Sequence, residues 1–173
     1  MRKVRIAPLI GFILVSYIGL SIYVIAKQGT EELLLCVDNG GVKIPFSKYL
    51  CREYLFNVRG SQQDIDTLHR GIGASFVIQG KSTPPEREQV LKYLIAKGLD
   101  VNHIDMHQLS PLHGAALANS VDEVEMLLRN GANTDLKDKK FGLTPLELAL
   151  KLQSEDKLQS DRQAVISLLK NAK

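Results

Sequence analysis

The stretch that decides the fold is "SPLHGAALANSVDEVEMLLRNGANTDLKD", which runs from Ser110 to Asp138. Its first half is rich in small residues, and its second half places two adjacent leucines shortly before Gly131. Small residues let a second helix approach closely, and a glycine after the last apolar residue is typical of a helix end. The pattern therefore predicts a helical hairpin. If the hairpin recurs, a binding surface is expected rather than a catalytic pocket.

The same pattern recurs along the chain. The segment "LKYLIAKGLDVNHID" (91–105) matches "VEMLLRNGANTDLKD" (124–138) at an offset of 33, and "SPLHGAALA" (110–118) matches "TPLELALKL" (144–152) at an offset of 34. Thr67-Leu68-His69 is interpreted as a degenerate further copy that lacks the proline. About three helical pairs are thus predicted over residues 61–173.

The outer two copies contain longer spacers than the middle one. In the first, "VIQGKSTPPEREQ" intervenes, and Pro84-Pro85 favours a loop with the next helix beginning at Glu86. In the last, "KLQSEDKLQSDRQ" intervenes, and this polar tract either extends the helices or forms a loop.

With this period and the motif Ser110-Pro111-Leu112-His113, the chain resembles the ankyrin-repeat family, whose repeat spans about 33 residues with a Thr-Pro-Leu-His signature. Thr144-Pro145-Leu146 carries the same motif, with Glu147 in place of the histidine. The resemblance implies a mainly α, short solenoid that binds other proteins. It also implies that His69 and His113 hydrogen-bond between repeats rather than perform chemistry.

The N-terminus differs in character from the rest of the chain. Arg2, Lys3 and Arg5 precede an uncharged stretch from Ile6 to Ala26, about the 20 residues that a membrane-spanning helix needs. Basic residues before the stretch favour an inside N-terminus. Residues 1–26 are therefore predicted to be a transmembrane signal anchor in the bacterial inner membrane, with the C-terminal domain in the periplasm. The alternative is a signal peptide cleaved after Ala26, leaving a soluble periplasmic protein.

Residues 27–60 are predicted to form a small segment that caps one end of the repeats. Asp38-Asn39-Gly40-Gly41 lies between apolar runs and suggests a hairpin, and "SKYLCREYLFNVRG" suggests a helix capped by Ser47 and closed by Gly60. Cys36 and Cys51 are the chain's two cysteines. In an oxidising compartment they are expected to form a disulfide, and the alternative is two separate buried thiols.

Composition and motifs argue against several functions. The 173 residues include 22 basic and 19 acidic ones, and the charge is balanced beyond the N-terminal tip, so no nucleic-acid partner is expected. No catalytic motif is recognisable, so neither an enzyme nor a cofactor is expected. The segment "HIDMH" (103–107) offers three potential metal ligands, fewer than a structural zinc takes, so no metal is expected.

The predicted partner surface consists of two turns, 100–109 and 133–142. Met106 and Phe141 are apolar residues within otherwise polar turns, which suits contact anchors ringed by charge; the alternative is that both pack back on their own repeats. The candidate protein-binding residues are His103, Asp105, Met106, His107, Gln108, Asp138, Lys139, Lys140 and Phe141.

Short exported ankyrin proteins of this appearance resemble bacterial immunity proteins, including those that act against type VI secretion lipases. The resemblance implies a protein at the cell envelope that neutralises a secreted lipase or phospholipase toxin. The alternative is an envelope scaffold or assembly factor for a resident enzyme or complex.

Overall fold

The computed structural model describes residues 6–38, 40–41, 44–155 and 161–172, with side chains from residue 10 onward. The described residues form helices and turns without any strand, so the predicted mainly α class is confirmed. They fall into two compact units, one ending at Arg59 and the other beginning at Gly60.

The first unit contains three helices, α1 (Ile6–Ala26), α2 (Thr30–Val37) and α3 (Ser47–Val58). Helices α2 and α3 pack together around fully buried Leu33 and Leu55. A disulfide joins Cys36 on α2 to Cys51 on α3, with 5.9 Å between their Cα atoms. So small a core leaves this covalent link as a main constraint on the α2–α3 pair.

The hairpin predicted around residues 38–41 is wrong, because the residues before it form α2. Leu33, Leu34 and Val37 are buried while Leu35 is 45% exposed, which is a helical period rather than the alternation of a strand. Asn39, in the middle of the predicted turn, lies outside the described residues. Helix α3 begins at Ser47 itself, after Phe46 in a left-handed conformation.

The N-terminal helix was predicted to span a membrane. Within the described part of the chain, no helix has both the length and the apolar character to cross a membrane. This finding contradicts the predicted membrane anchor over residues 6–26 and the inner-membrane location with a periplasmic domain.

The second unit begins with α4 (Gln62–Arg70) and continues with three helical pairs. The pairs are α5 (Ala74–Ile78) with α6 (Pro84–Ala96), α7 (Pro111–Ala118) with α8 (Val121–Arg129), and α9 (Pro145–Glu155) with α10 (Gln163–Asn171). Contacts join α5, α7 and α9 into one row and α6, α8 and α10 into another. Leu94, Leu127 and Leu169 are fully buried in this core, one from each pair.

Two glycines that match in the sequence repeat also have the same backbone conformation in the structure. Gly98 and Gly131 follow α6 and α8 with φ of 107° and 86°, in the region that only glycine enters without strain. The next amides fold back on the helix, Leu99 donating to Leu94 (2.9 Å) and Ala132 to Leu127 (3.0 Å). This hydrogen bond is typical of a glycine-terminated helix.

The structure corrects the interpretation of the first copy. Thr67, Leu68 and His69 lie in the second half of α4, whereas Ser110 and Thr144 directly precede the proline that begins a helix. The helix equivalent to α7 is instead α5, part of which belonged to the predicted spacer. Helix α6 begins at Pro84 rather than Glu86, because proline in the first turn sacrifices no helical hydrogen bond.

Candidate functional site

Two aspartates build the turns that were predicted to bind a partner. Asp105 Oδ1 accepts hydrogen bonds from the amides of His107 (2.8 Å) and Leu109 (3.1 Å). Asp138 Oδ1 accepts from the amide of Lys140 (2.8 Å), and its Oδ2 accepts from that of Leu143 (3.1 Å). Both carboxylates therefore organise backbone.

Asp138 is the more deeply placed of the two, at 3% exposure. Burial opposes its ionisation, but hydrogen bonds from the amides of Phe141, Leu143 and Lys140 outweigh burial and hold its pKa below the ordinary value. Asp138 therefore holds the turn together through hydrogen bonds between its carboxylate and the backbone amides.

His113 connects the second helical pair to the next turn. Its Nδ1 lies 2.6 Å from Ser110 Oγ, and its Nε2 lies 2.9 Å from the Leu143 carbonyl oxygen. Because a carbonyl only accepts, Nε2 carries the hydrogen and Nδ1 accepts the Ser110 hydroxyl. The side chain is fully buried. Burial lowers the pKa of His113, against the opposing effects of the Leu143 carbonyl and Asp138.

Successive turns are also tied directly to each other. Asn102 donates to the Gly131 carbonyl (3.3 Å) and accepts from the Asn133 amide (2.7 Å). The Lys139 amide donates to the Gln108 carbonyl (3.0 Å). Gln108 itself adopts a left-handed conformation, with φ of 65°. These links give the two predicted turns a fixed spacing.

His103 is directed away from the predicted partner surface. Its ring stacks on that of His69 with 4.4 Å between centroids, and its Nε2 lies 2.8 Å from the His69 carbonyl oxygen. His69 Nε2 accepts from the Asp100 amide (3.0 Å). Burial, and then the proximity of His103, lower the pKa of His69. This histidine pair joins α4 to the turn after α6.

A groove of about 460 Å³ opens between the turns and the helices α5 and α7. One wall comes from the turns and consists of Asp105, His107, Leu109 and Lys140. The floor comes from α5, the residues that flank it and α7, and consists of Ile72, Ser75, Gln79, Gly114, Leu117 and Ala118. Sequence reasoning placed Asp105, His107 and Lys140 at the site but missed the whole helical floor.

The two predicted anchors are both exposed, Met106 at 68% and Phe141 at 49%. Phe141 lies close to two ammonium groups of its own repeat. Lys140 Nζ is 5.2 Å from the ring centroid, and Lys151 Nζ is 5.9 Å from it. Lys151, on α9, was not among the predicted site residues, because only the fold brings it beside the turn.

Two of the three potential ligands in the "HIDMH" segment have partners within the protein. Among the residues that the structure describes, no three histidine, cysteine or acidic side chains are grouped to hold a metal ion. The side chains of His103 and Asp105 contact His69 and backbone amides respectively.

Comparison with known proteins gives the class of the repeats. Residues 94–149 match the family model for ankyrin repeats (many copies). The chain is 45% identical over 53 residues to Neurogenic locus notch homolog protein 2 of Homo sapiens, which covers 31% of the chain and 2% of that protein. It is 27% identical over 142 residues to Transient receptor potential cation channel subfamily A member 1 of Homo sapiens, covering 75% of the chain and 13% of that protein.

Residues 94–149 are thus similar to ankyrin repeats, the family that the sequence motif resembles. It spans only a small part of the curated relatives that it matches, 2% of the notch protein and 13% of the channel subunit.

Proposed function

We propose that the repeats bind a partner protein through the groove and the exposed turns beside it. The observation that carries this proposal is the meeting of an open groove with two exposed apolar side chains, Met106 and Phe141, on the adjoining turns. An apolar centre within a polar rim is the usual composition of a protein interface. Stacked repeats commonly present such extended surfaces to their partners. Enzymatic activity forms no part of the proposal.

Site-specific photo-crosslinking tests this surface. A photoreactive amino acid replaces Leu117 in the groove, Met106 on the turn, or Lys170 on α10 as the control. Crosslinking in the native host from Leu117 and Met106 to one protein, with none from Lys170, is the expected result. Equal crosslinking from Lys170, or none from either site residue, contradicts the proposal.

We further infer that the partner is a toxin, specifically a secreted lipase or phospholipase, and that the chain is its immunity protein. The support is the resemblance of the repeat region to bacterial immunity proteins with ankyrin repeats. Deleting the gene should inhibit growth, and also deleting a neighbouring toxin gene should restore it. Growth inhibition without such relief contradicts the inference and favours the second candidate, a scaffold or assembly factor for a resident enzyme or complex.

A further inference from the structure

We propose that the groove takes an acidic segment of the partner, with one apolar side chain of that segment inserted between α5 and α7. This proposal rests on the proposed function and adds the chemistry of the partner to it. Two features carry it: the shape of the groove floor and the distribution of charge along its rim.

The floor is apolar at its centre and kept open by small residues. Leu117 is 45% exposed there, beside Ala118 and Gly114 on the same helix. A Cβ atom added to Gly114 would be in ordinary van der Waals contact with Ser75 Oγ (3.9 Å) and Gln79 Nε2 (4.0 Å), so this position has room for a methyl group at the edge of the groove of about 460 Å³. The floor therefore offers room and apolar contact for a side chain such as leucine.

The rim beside this floor is basic. The last turn exposes Lys137, Lys139 and Lys140 against one exposed acid, Asp135. Lys151 adds a further ammonium group from α9, and Lys140 and Lys151 both lie close to the exposed ring of Phe141. The ring and the two cations form one patch at the edge of the groove.

Three nearby carboxylates are hydrogen-bonded to backbone amides. Those of Asp105 and Asp138 accept hydrogen bonds from turn amides. Glu147 Oε2 accepts from the Thr144 amide (2.8 Å) at the start of α9. Asp105 and Lys140 both line the groove itself. Beside it, Lys137, Lys139 and Lys151 are exposed against the single exposed acid of the last turn, Asp135, so the rim carries a net positive charge toward an approaching protein.

An acidic segment complements such a rim. Opposite charges steer the encounter and disfavour partners of the wrong sign, and the inserted apolar side chain supplies contact area. Exposed pairs of this kind are screened by salt, so binding should weaken as ionic strength rises.

Fluorescence anisotropy with synthetic peptides tests the proposal on the full chain. Each peptide carries one leucine flanked by glutamates, and two matched sets carry lysines or serines in place of the glutamates. The glutamate peptides should bind about tenfold tighter than the lysine peptides, a ratio within reach of a few exposed charge pairs. In the double variant Lys140→Glu and Lys151→Glu, the lysine peptides should bind more tightly than the glutamate peptides. Lys170→Glu on α10 should leave the preference for the glutamate peptides unchanged.

A variant that fills the groove separates this proposal from the proposed function. Gly114→Leu should abolish binding by every peptide set, and Ala118→Phe, at an exposed position, replaces it if the first variant fails to fold. If all three peptide sets bind equally and Gly114→Leu abolishes their binding, the acidic segment is overturned, but the groove remains the binding surface. Binding that persists in both filled variants overturns the groove itself. Failure of the glutamate peptides to bind also overturns the acidic segment, while the crosslinking experiment tests the groove separately.

Discussion

His113 uses both ring nitrogens to join two repeats, and its protonation state therefore matters to folding. A neutral ring donates to the Leu143 carbonyl and accepts from Ser110. A protonated ring would have no acceptor for the Ser110 hydroxyl and would place a charge in the core. The histidine of the repeat motif is thus an acid-sensitive contact between neighbouring repeats.

The free energy of unfolding should fall as the pH drops below about 6.5, the ordinary histidine value. The pKa values of His113 and His69 are both lowered in the folded chain, so the unfolded chain binds more protons in this range. The stabilisation is complete above that pH and is lost below it. Urea denaturation across this range should show a shallower pH slope for His113→Gln than for the natural chain. An unchanged slope, with His107→Gln as the matched control, would contradict the assignment.

Gly114 illustrates a conflict between stability and binding at one position. It lies within α7, where glycine is less favourable than alanine, and an added Cβ would meet its neighbours at ordinary contact distances. Gly114→Ala should therefore raise the free energy of unfolding by about 0.5–1 kcal/mol. Chemical denaturation measures this change. A lower stability would show that the floor of the groove is more tightly packed than these distances indicate.

At the scale of helices, the middle pair could be predicted from sequence while the first could not. Helices α7 and α8 carry a serine directly before the first helix, a first-turn proline, paired leucines and a closing glycine, so several local signals agree. Helix α5 has only five residues and no proline. Thr67-Leu68-His69, which lies in α4, resembles the Thr-Pro-Leu-His motif and was taken for the start of the first repeat. The resemblance of Thr67-Leu68-His69 to the repeat motif was misleading because no capping residue or turn signal nearby marked the true start of the first helical pair.

The groove shows a second limit of sequence reasoning. Turn residues stand out as polar sequence between helices, and Asp105, His107 and Lys140 were found in this way. Gly114, Leu117 and Ala118 look like any apolar face of a helix, because only the neighbouring helices decide which face stays open. The approach of Lys151 to Phe141 likewise depends on how α9 packs.

The α2–α3 pair should depend on its disulfide. The bond closes a loop of 15 residues, for which the chain-entropy model gives a stabilisation of about 3 kcal/mol. Replacing Cys36 and Cys51 with alanine, or adding a reductant, should speed amide hydrogen exchange in both helices. The double variant serves as the control, since a reductant should not affect it further. Unchanged exchange after verified reduction would mean that packing alone holds the pair.

At the scale of the whole chain, balanced charge beyond the N-terminal tip conceals a local asymmetry. The patch formed by Lys140, Lys151 and the Phe141 ring arises only because the fold brings the last turn beside α9. The capping role predicted for residues 27–60 stays a prediction. It is tested by whether residues 60–173 alone melt at a lower temperature than the full chain.

The repeats should be sensitive to side-chain size in the middle of the stack and tolerant at its C-terminal end. Ala116 on α7 is fully buried, whereas Leu150, the matching residue of the next repeat at an offset of 34, is 42% exposed. Ala116→Leu should lower the free energy of unfolding by about 1–3 kcal/mol, because the larger side chain overpacks the space between α7 and α9. The reciprocal change, Leu150→Ala, should lower it by no more than about 1 kcal/mol, since the leucine is already 42% exposed. Denaturant unfolding of both variants measures the contrast, and similar losses would mean that the last repeat is covered as fully as the middle one.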